Sequence, residues 1–212
     1  MPCVEPVVLV PVKAFADAKA RLAGVLSPSH RESLARFTAE RVLAAAAPAR
    51  VYVVCDSDTV AQWAADHGAS VLWHPGVGLN NAIMHGVADL AGAGLEHVVI
   101  AHGDLPRAIG LASLAAPDCI TLVPDRAGEG TNVLTLPLPT DFRFSYGAGS
   151  FHRHLAMAME RALHTGHRVR VLRHPLLGLD IDTPHDLAHP LVQEVLPSWL
   201  RTNPASPSPA RG

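Results

Sequence analysis

Val7-Val8-Leu9-Val10-Pro11-Val12, closed by Lys13, is a continuous apolar run. A run this short with no polar alternation predicts a strand covered on both faces rather than one side of a solvated hairpin. Similar runs recur at Val51–Cys55, Val98–Ala101 and Ile120–Val123. The segments between them read as helices. Ser29 and Glu32 have the spacing of a capping box, and Leu34, Phe37, Val42 and Leu43 follow in an alanine-rich stretch that ends before Pro48. Thr59–Ala65, Asn80–Ala91 and Ser150–His164 are further helical segments. Strands alternating with helices specify an α/β fold, a mostly parallel central sheet with helices on both faces.

The chain has 212 residues, 49% hydrophobic and 17% charged, which suits one well-buried domain. Residues 1–196 are expected to form that domain, and 197–212, with Pro204, Pro207 and Pro209, a Pro/Ser-rich disordered tail. A net charge of -2 gives no footprint for nucleic acid. Cys3, Cys55 and Cys119 are odd in number and widely spaced, so the reading is a reduced, cytoplasmic protein without a disulfide framework. No window approaches the roughly 20 apolar residues of a membrane span. The 13 histidines include no metalloprotease-type pair. A homodimer is left open.

In a parallel sheet, sites gather at the carboxyl ends of strands, where Lys13, Asp56, Asp104 and Asp125 fall. Lys13, Lys19 and Arg21 put three cations near the end of the first strand, suited to phosphate oxygens or to a solvated face. In His102-Gly103-Asp104-Leu105-Pro106 a carboxylate sits just beyond a buried strand, placed to bind magnesium through oxygen. In Leu179-Asp180-Ile181-Asp182-Thr183-Pro184, alternation sends both carboxylates to one side of an extended segment, although Asp182 could instead cap a helix starting near Pro184.

Three glycine-bearing loops complete the inventory. Pro124–Asn132 combines Gly128, Gly130 and Thr131 in a loop suited to holding phosphate, or in an ordinary turn. Gly147-Ala148-Gly149-Ser150 leads into a helix whose first N–H groups would make a second anion site. Gly76–Asn80 is a nucleotide-contact loop or the turn before a helix. Asn80 or Asn81 could present a donor–acceptor pair to guanine.

Taken in order, these motifs resemble the CofC/FbiD family, the guanylyltransferases of coenzyme F420 biosynthesis. The resemblance runs from Val8 to about Leu187. It rests on Pro11-Val12-Lys13 with Lys19-Ala20-Arg21-Leu22, Gly78-Leu79-Asn80, Gly103-Asp104-Leu105-Pro106, Gly128-Glu129-Gly130-Thr131-Asn132, Gly147-Ala148-Gly149-Ser150-Phe151 with His154, and Asp180-Ile181-Asp182-Thr183-Pro184. It implies a GT-A-like nucleotidyltransferase fold. It also implies transfer of GMP from GTP to the phosphate of a small three-carbon acid, with release of pyrophosphate. Phosphoenolpyruvate ranks first among acceptors, ahead of 2-phospholactate and 3-phosphoglycerate. By motif match, Thr131, Gly147 and Ser150 would bind the acceptor, and Asp104, Asp180 and Asp182 magnesium; Gly78 and Asn80, from the Gly76–Asn80 loop, are the nucleotide contacts expected from position alone. Lys13, Lys19 and Arg21 would then steady the triphosphate, a role inferred from charge and position.

Two rival readings stand beside this one. Nucleotidyl transfer to molybdopterin or a sugar phosphate would call for a Gly-rich loop after the first strand, where this chain has Val12-Lys13-Ala14-Phe15-Ala16-Asp17 without glycine. A catalytically silent nucleotide binder would be expected to lack part of the site, yet all three carboxylates are present.

Overall fold

The computed structural model describes residues 5–201. Seven strands form one sheet in the order β3-β2-β1-β4-β6-β5-β7: β1 Val7–Pro11, β2 Val51–Cys55, β3 Ser70–Trp73, β4 His97–Ala101, β5 Cys119–Pro124, β6 Thr131–Pro137 and β7 Arg168–Val171. Pairings β1–β2, β1–β4, β2–β3 and β5–β7 are parallel. The expected mostly parallel sheet is present, with one reversal: β6 runs antiparallel to both β4 and β5. A short hairpin connection joins β5 to β6 and forces that direction.

Alternation along β1 distributes its side chains between two cores. Val8 and Val10 pack with Val53, Val99 and the faces of α1 (Pro28–Ala45) and α2 (Asp58–Asp66), including Ala39, Val42 and Trp63. Val7 and Leu9 pack on the other side with Val98, Ile100, Leu134 and with Ile83, Val87 and Phe151 of α3 (Gly78–Gly92) and α4 (Ser150–Thr165). Burial on both faces explains the uninterrupted apolar runs.

Helix starts differ from the expected ones. Ser27, not Ser29, caps α1: its side chain accepts the His30 N–H at 3.2 Å and Pro28 occupies the first turn, while Glu32 pairs with Arg36. Near the C-terminus, Thr183 rather than Asp182 caps α5 (Pro184–Leu187), in a capping box with Asp186, which leaves the Asp182 carboxylate uncommitted to the helix. No helix among the described residues is long and apolar enough to cross a membrane.

A third core ties the C-terminal segment down. Ile181, Leu187, Val192 of α6 (Pro190–Gln193), Leu196 and Leu200 pack against Leu22 and Leu34. The expected boundary at residue 197 is therefore corrected, since a single helical turn over Ser198–Leu200 buries Leu200 to 2% exposure. Residues 202–212 of the expected tail lie outside the described residues, as does Cys3. Leu200→Ala removes a buried side chain from this core and is expected to cost about 2–4 kcal/mol in urea unfolding; a change within experimental error would contradict the packing.

Candidate active site

The strand order reverses direction of growth between β1 and β4, and the crevice at their carboxyl ends is where an open α/β sheet binds ligands. Three clefts lie along that edge. One of about 180 Å³ lies beside β1 and β2, lined by Lys13, Asp56 and Gly78. A central cleft of about 280 Å³ contains Lys13, Lys19, Asp104 and Asp182. A third, of about 380 Å³, is lined by Thr131, Gly147, Ser150 and Asp180, with Asp104 and Asp182 shared with the central cleft. The shared residues make the clefts one groove with the carboxylates at its middle.

Local structure converges on those carboxylates from three directions. Beyond β1 the chain turns through Lys19, which adopts a left-handed backbone (φ 58°) and delivers its ammonium inward. Lys19 Nζ lies 3.1 Å from Asp104 Oδ2 and 3.6 Å from Asp182 Oδ1, and Arg21 Nη1 donates to Asp182 Oδ2 at 3.2 Å. The Ile181 N–H donates to the Asp104 carbonyl at 3.3 Å, so the 180–182 segment is tethered to the turn after β4. One ligand atom each from Asp104, Asp180 and Asp182 lies within 4.8 Å of the others.

The charge states of the trio diverge. Burial is the largest effect on Asp104 and would raise it, but the Lys19 charge and hydrogen bond, together with His102 and the backbone, hold the carboxyl below the usual carboxylate range. Burial, then the charges of Asp104 and Asp182, push Asp180 up to about 7. Asp104 Oδ1 is buried without a hydrogen-bond partner. Three oxygen donors with an orphaned buried lone pair are the donor set a hard divalent cation requires.

The cationic residues take different positions. Lys13 lines both the central cleft and the cleft beside β1 and β2, and makes no ion pair among the described residues. Lys19 and Arg21, expected to face a triphosphate, are instead paired with the carboxylates.

Two loops expected to hold anions already make internal hydrogen bonds. The carboxylate of Asp125 accepts the Gly128 and Glu129 N–H groups on Oδ1 at 2.6 and 2.9 Å, and the Gly130 N–H on Oδ2 at 2.7 Å. The anion cradled by the Gly-rich loop is the protein's own. A Cβ at Gly130 would stand 2.7 Å from Asp125 Oδ2, so a side chain there would push the carboxylate out of its cage. At the start of α4, the Ser150 N–H donates to the Gly147 carbonyl and the Phe151 N–H to the Glu129 carbonyl, closing the first two helix donors. Asn80 is likewise committed: Oδ1 accepts the Tyr146 N–H at 2.7 Å and Nδ2 donates to the Tyr146 carbonyl at 3.4 Å. Asn81 Nδ2 donates to the Val77 carbonyl. In each case the polar group pairs within the protein.

Sequence reasoning missed the clasp formed by Arg153. Its guanidinium donates to Ser145 Oγ, the Ser145 carbonyl and the Ala148 carbonyl at 2.7–2.8 Å, fixing the loop that bears Gly147. The one available signal was a cation in the first turn of a helix, where the dipole disfavours it. His102, half-buried with its Nε2 enclosed and unpartnered, has its ring 4.7 Å from that of Tyr146 in the third cleft, and burial lowers its pKa.

A family model described as "Guanylyl transferase CofC like" matches residues 6–194. A phosphoenolpyruvate guanylyltransferase from Sphaerobacter thermophilus is 38% identical over 190 residues, covering 85% of this chain and 90% of that protein. A 2-phospho-L-lactate guanylyltransferase from Methanothermobacter thermautotrophicus is 31% identical, covering 84% and 81%. Among solved structures, a cytidylyltransferase from Leptospira borgpetersenii aligns at a TM-score of 0.55 and 14% identity, over 90% of this chain and 86% of that one, a likeness of fold. The caged loop carries its own test. Asp125→Ala leaves three N–H groups without their acceptor and is expected to destabilise the protein by about 2 kcal/mol or more in denaturant unfolding; unchanged stability would show that the cage contributes nothing.

Proposed function

The chain belongs to the CofC-like guanylyl transferase family and is an enzyme that transfers nucleotidyl groups. On that premise we propose that it transfers GMP from GTP to the phosphate of a small phospho-acid, with release of pyrophosphate, as a cytoplasmic step of coenzyme F420 biosynthesis. Phosphoenolpyruvate is the proposed acceptor, supported by the name of the relative from Sphaerobacter thermophilus. The observation that carries the reading is the groove itself: a cleft beside Lys13, a cleft beside Thr131 and Ser150, and three carboxylates between them.

The chemistry joins two anions. A phosphate oxygen of the acceptor attacks the α-phosphorus of GTP, forming a P–O–P link as the bond to the β-phosphate oxygen breaks. Asp104, Asp180 and Asp182 would hold Mg2+, whose bound charge offsets the repulsion between the two phosphates and their developing charge. Lys13, without a side-chain partner among the described residues, is placed to neutralise the triphosphate from the nucleotide side. Lys19 and Arg21 stand against the carboxylates, where they fix the acids' orientation and can turn toward departing pyrophosphate. Thr131 and Ser150 face the acceptor cleft with hydroxyls, and Gly147, at φ 122°, gives the loop a backbone that a side chain would strain. No covalent nucleophile is required, because positioning and charge supply the catalysis.

GTP and Mg2+ mixed separately with phosphoenolpyruvate, 2-phospholactate and 3-phosphoglycerate should release pyrophosphate with phosphoenolpyruvate, and the product mass should equal acceptor plus GMP minus water. Silence with all three acids in protein that binds GTP would refute the reading. Asp180 adds a pH dependence. Below about pH 7 its proton competes with the cation, so the Mg2+ concentration for half-maximal rate should rise by up to about tenfold per pH unit between pH 7 and 6. A requirement for Mg2+ that stays flat across that range would show that Asp180 is no ligand.

A further inference from the structure

His154 lies on α4, wholly buried, and both of its ring nitrogens are engaged. The Ser145 N–H donates to Nε2 at 2.9 Å. A backbone amide can only donate, so Nε2 carries its lone pair. Burial, with the Arg153 charge adding to it, lowers His154 to about 4, which keeps the ring neutral at physiological pH. In a neutral imidazole with Nε2 as acceptor, the proton sits on Nδ1. Nδ1 is 3.0 Å from Thr131 Oγ1, so the imidazole donates and the threonine oxygen accepts.

The consequence falls on Thr131. With its oxygen accepting from His154, its own O–H must donate elsewhere, and no described residue accepts from it. Ser150 is in the same state, since its Oγ accepts the Thr131 N–H at 3.1 Å and no described residue accepts its proton. Both residues line the acceptor-side cleft. Two neighbouring hydroxyls, each already accepting a hydrogen bond from behind, have their protons left to donate into the cleft. That arrangement suits a ligand rich in acceptor oxygens, a phosphate or carboxylate. The opposite tautomer would set Nε2–H against the Ser145 N–H and turn the Thr131 proton back toward the ring.

We propose that His154 is a positioning residue for acceptor binding: through its Nδ1–H it holds the Thr131 hydroxyl as a donor aimed at an anionic oxygen of the phospho-acid. This inference rests on the acceptor-site reading given above. The rings of Phe142 and Tyr146, at 5.7 and 4.7 Å, wall the imidazole so that it keeps this orientation.

Four variants and one spectrum test it. Thr131→Val, which keeps the shape and removes the hydroxyl, should raise the KM for phosphoenolpyruvate and its dissociation constant in calorimetry by about 10- to 100-fold, with the KM for GTP unchanged. His154→Phe should reproduce that pattern, and the double variant should be no worse than Thr131→Val alone, because both changes remove one interaction. His154→Gln, whose amide offers an acceptor and a donor, should recover part of the affinity. An unmoved acceptor KM in Thr131→Val would overturn the acceptor-site reading itself. A raised KM in Thr131→Val with full additivity to His154→Phe, or with no effect of His154→Phe, would overturn the positioning role alone. Should His154→Phe fail to fold, long-range proton–nitrogen NMR of the unaltered protein decides: protonated Nδ1 with bare Nε2 supports the inference, and protonated Nε2 refutes it.

Discussion

One ammonium group joins the parts of this site. Lys19 Nζ stands between Asp104, from the turn after β4, and Asp182, from the segment that returns along the groove near the C-terminus. Its side chain is 7% exposed, so the pair is not an ordinary surface ion pair screened by water. Three carboxylates gathered so closely would repel one another. The lysine relieves two of them, while the third, Asp180, is pushed up to about 7. The acids are thus kept near one another by the protein's own lysine, in an arrangement able to hold a divalent cation.

The fold supplies this proximity through its topology. β1 and β4 are adjacent although far apart in sequence, so Lys19 meets Asp104 across the switch point of the sheet. The third core brings the C-terminal segment to the same place by packing Ile181 and Leu187 against Leu22 and Leu34. Alternation then does the rest: burying Ile181 turns its neighbours Asp180 and Asp182 toward the groove. A hydrophobic contact therefore sets the geometry of an electrostatic centre.

The sequence made the centre of the sheet legible and its borders much less so. β1, β2, β4 and β5 show as apolar runs because both faces are covered. β3 and β7 lie at the sheet edges, where Ser70, Arg168 and Arg170 interrupt the pattern, and β6 is broken by Thr131, Asn132 and Thr135, polar residues that are buried and hydrogen-bonded. The carboxylate trio was readable from spacing and alternation. The occupants of the glycine loop and of the Asn80 amide were not, because local sequence cannot tell whether an N–H group will meet a ligand or the protein's own Asp125 and Tyr146. The direction of the Thr131 proton was further out of reach, since it depends on a ring nitrogen 23 positions away.

Direct cation binding tests this account most closely. Electron paramagnetic resonance of Mn2+ titrated into the protein should show a bound ion at pH 8, with affinity falling by at least about tenfold in Asp104→Asn and in Asp180→Asn. Equal Mn2+ binding in the unaltered protein and both variants would contradict the claim that these carboxylates, held by Lys19, form the metal centre between the two substrate clefts.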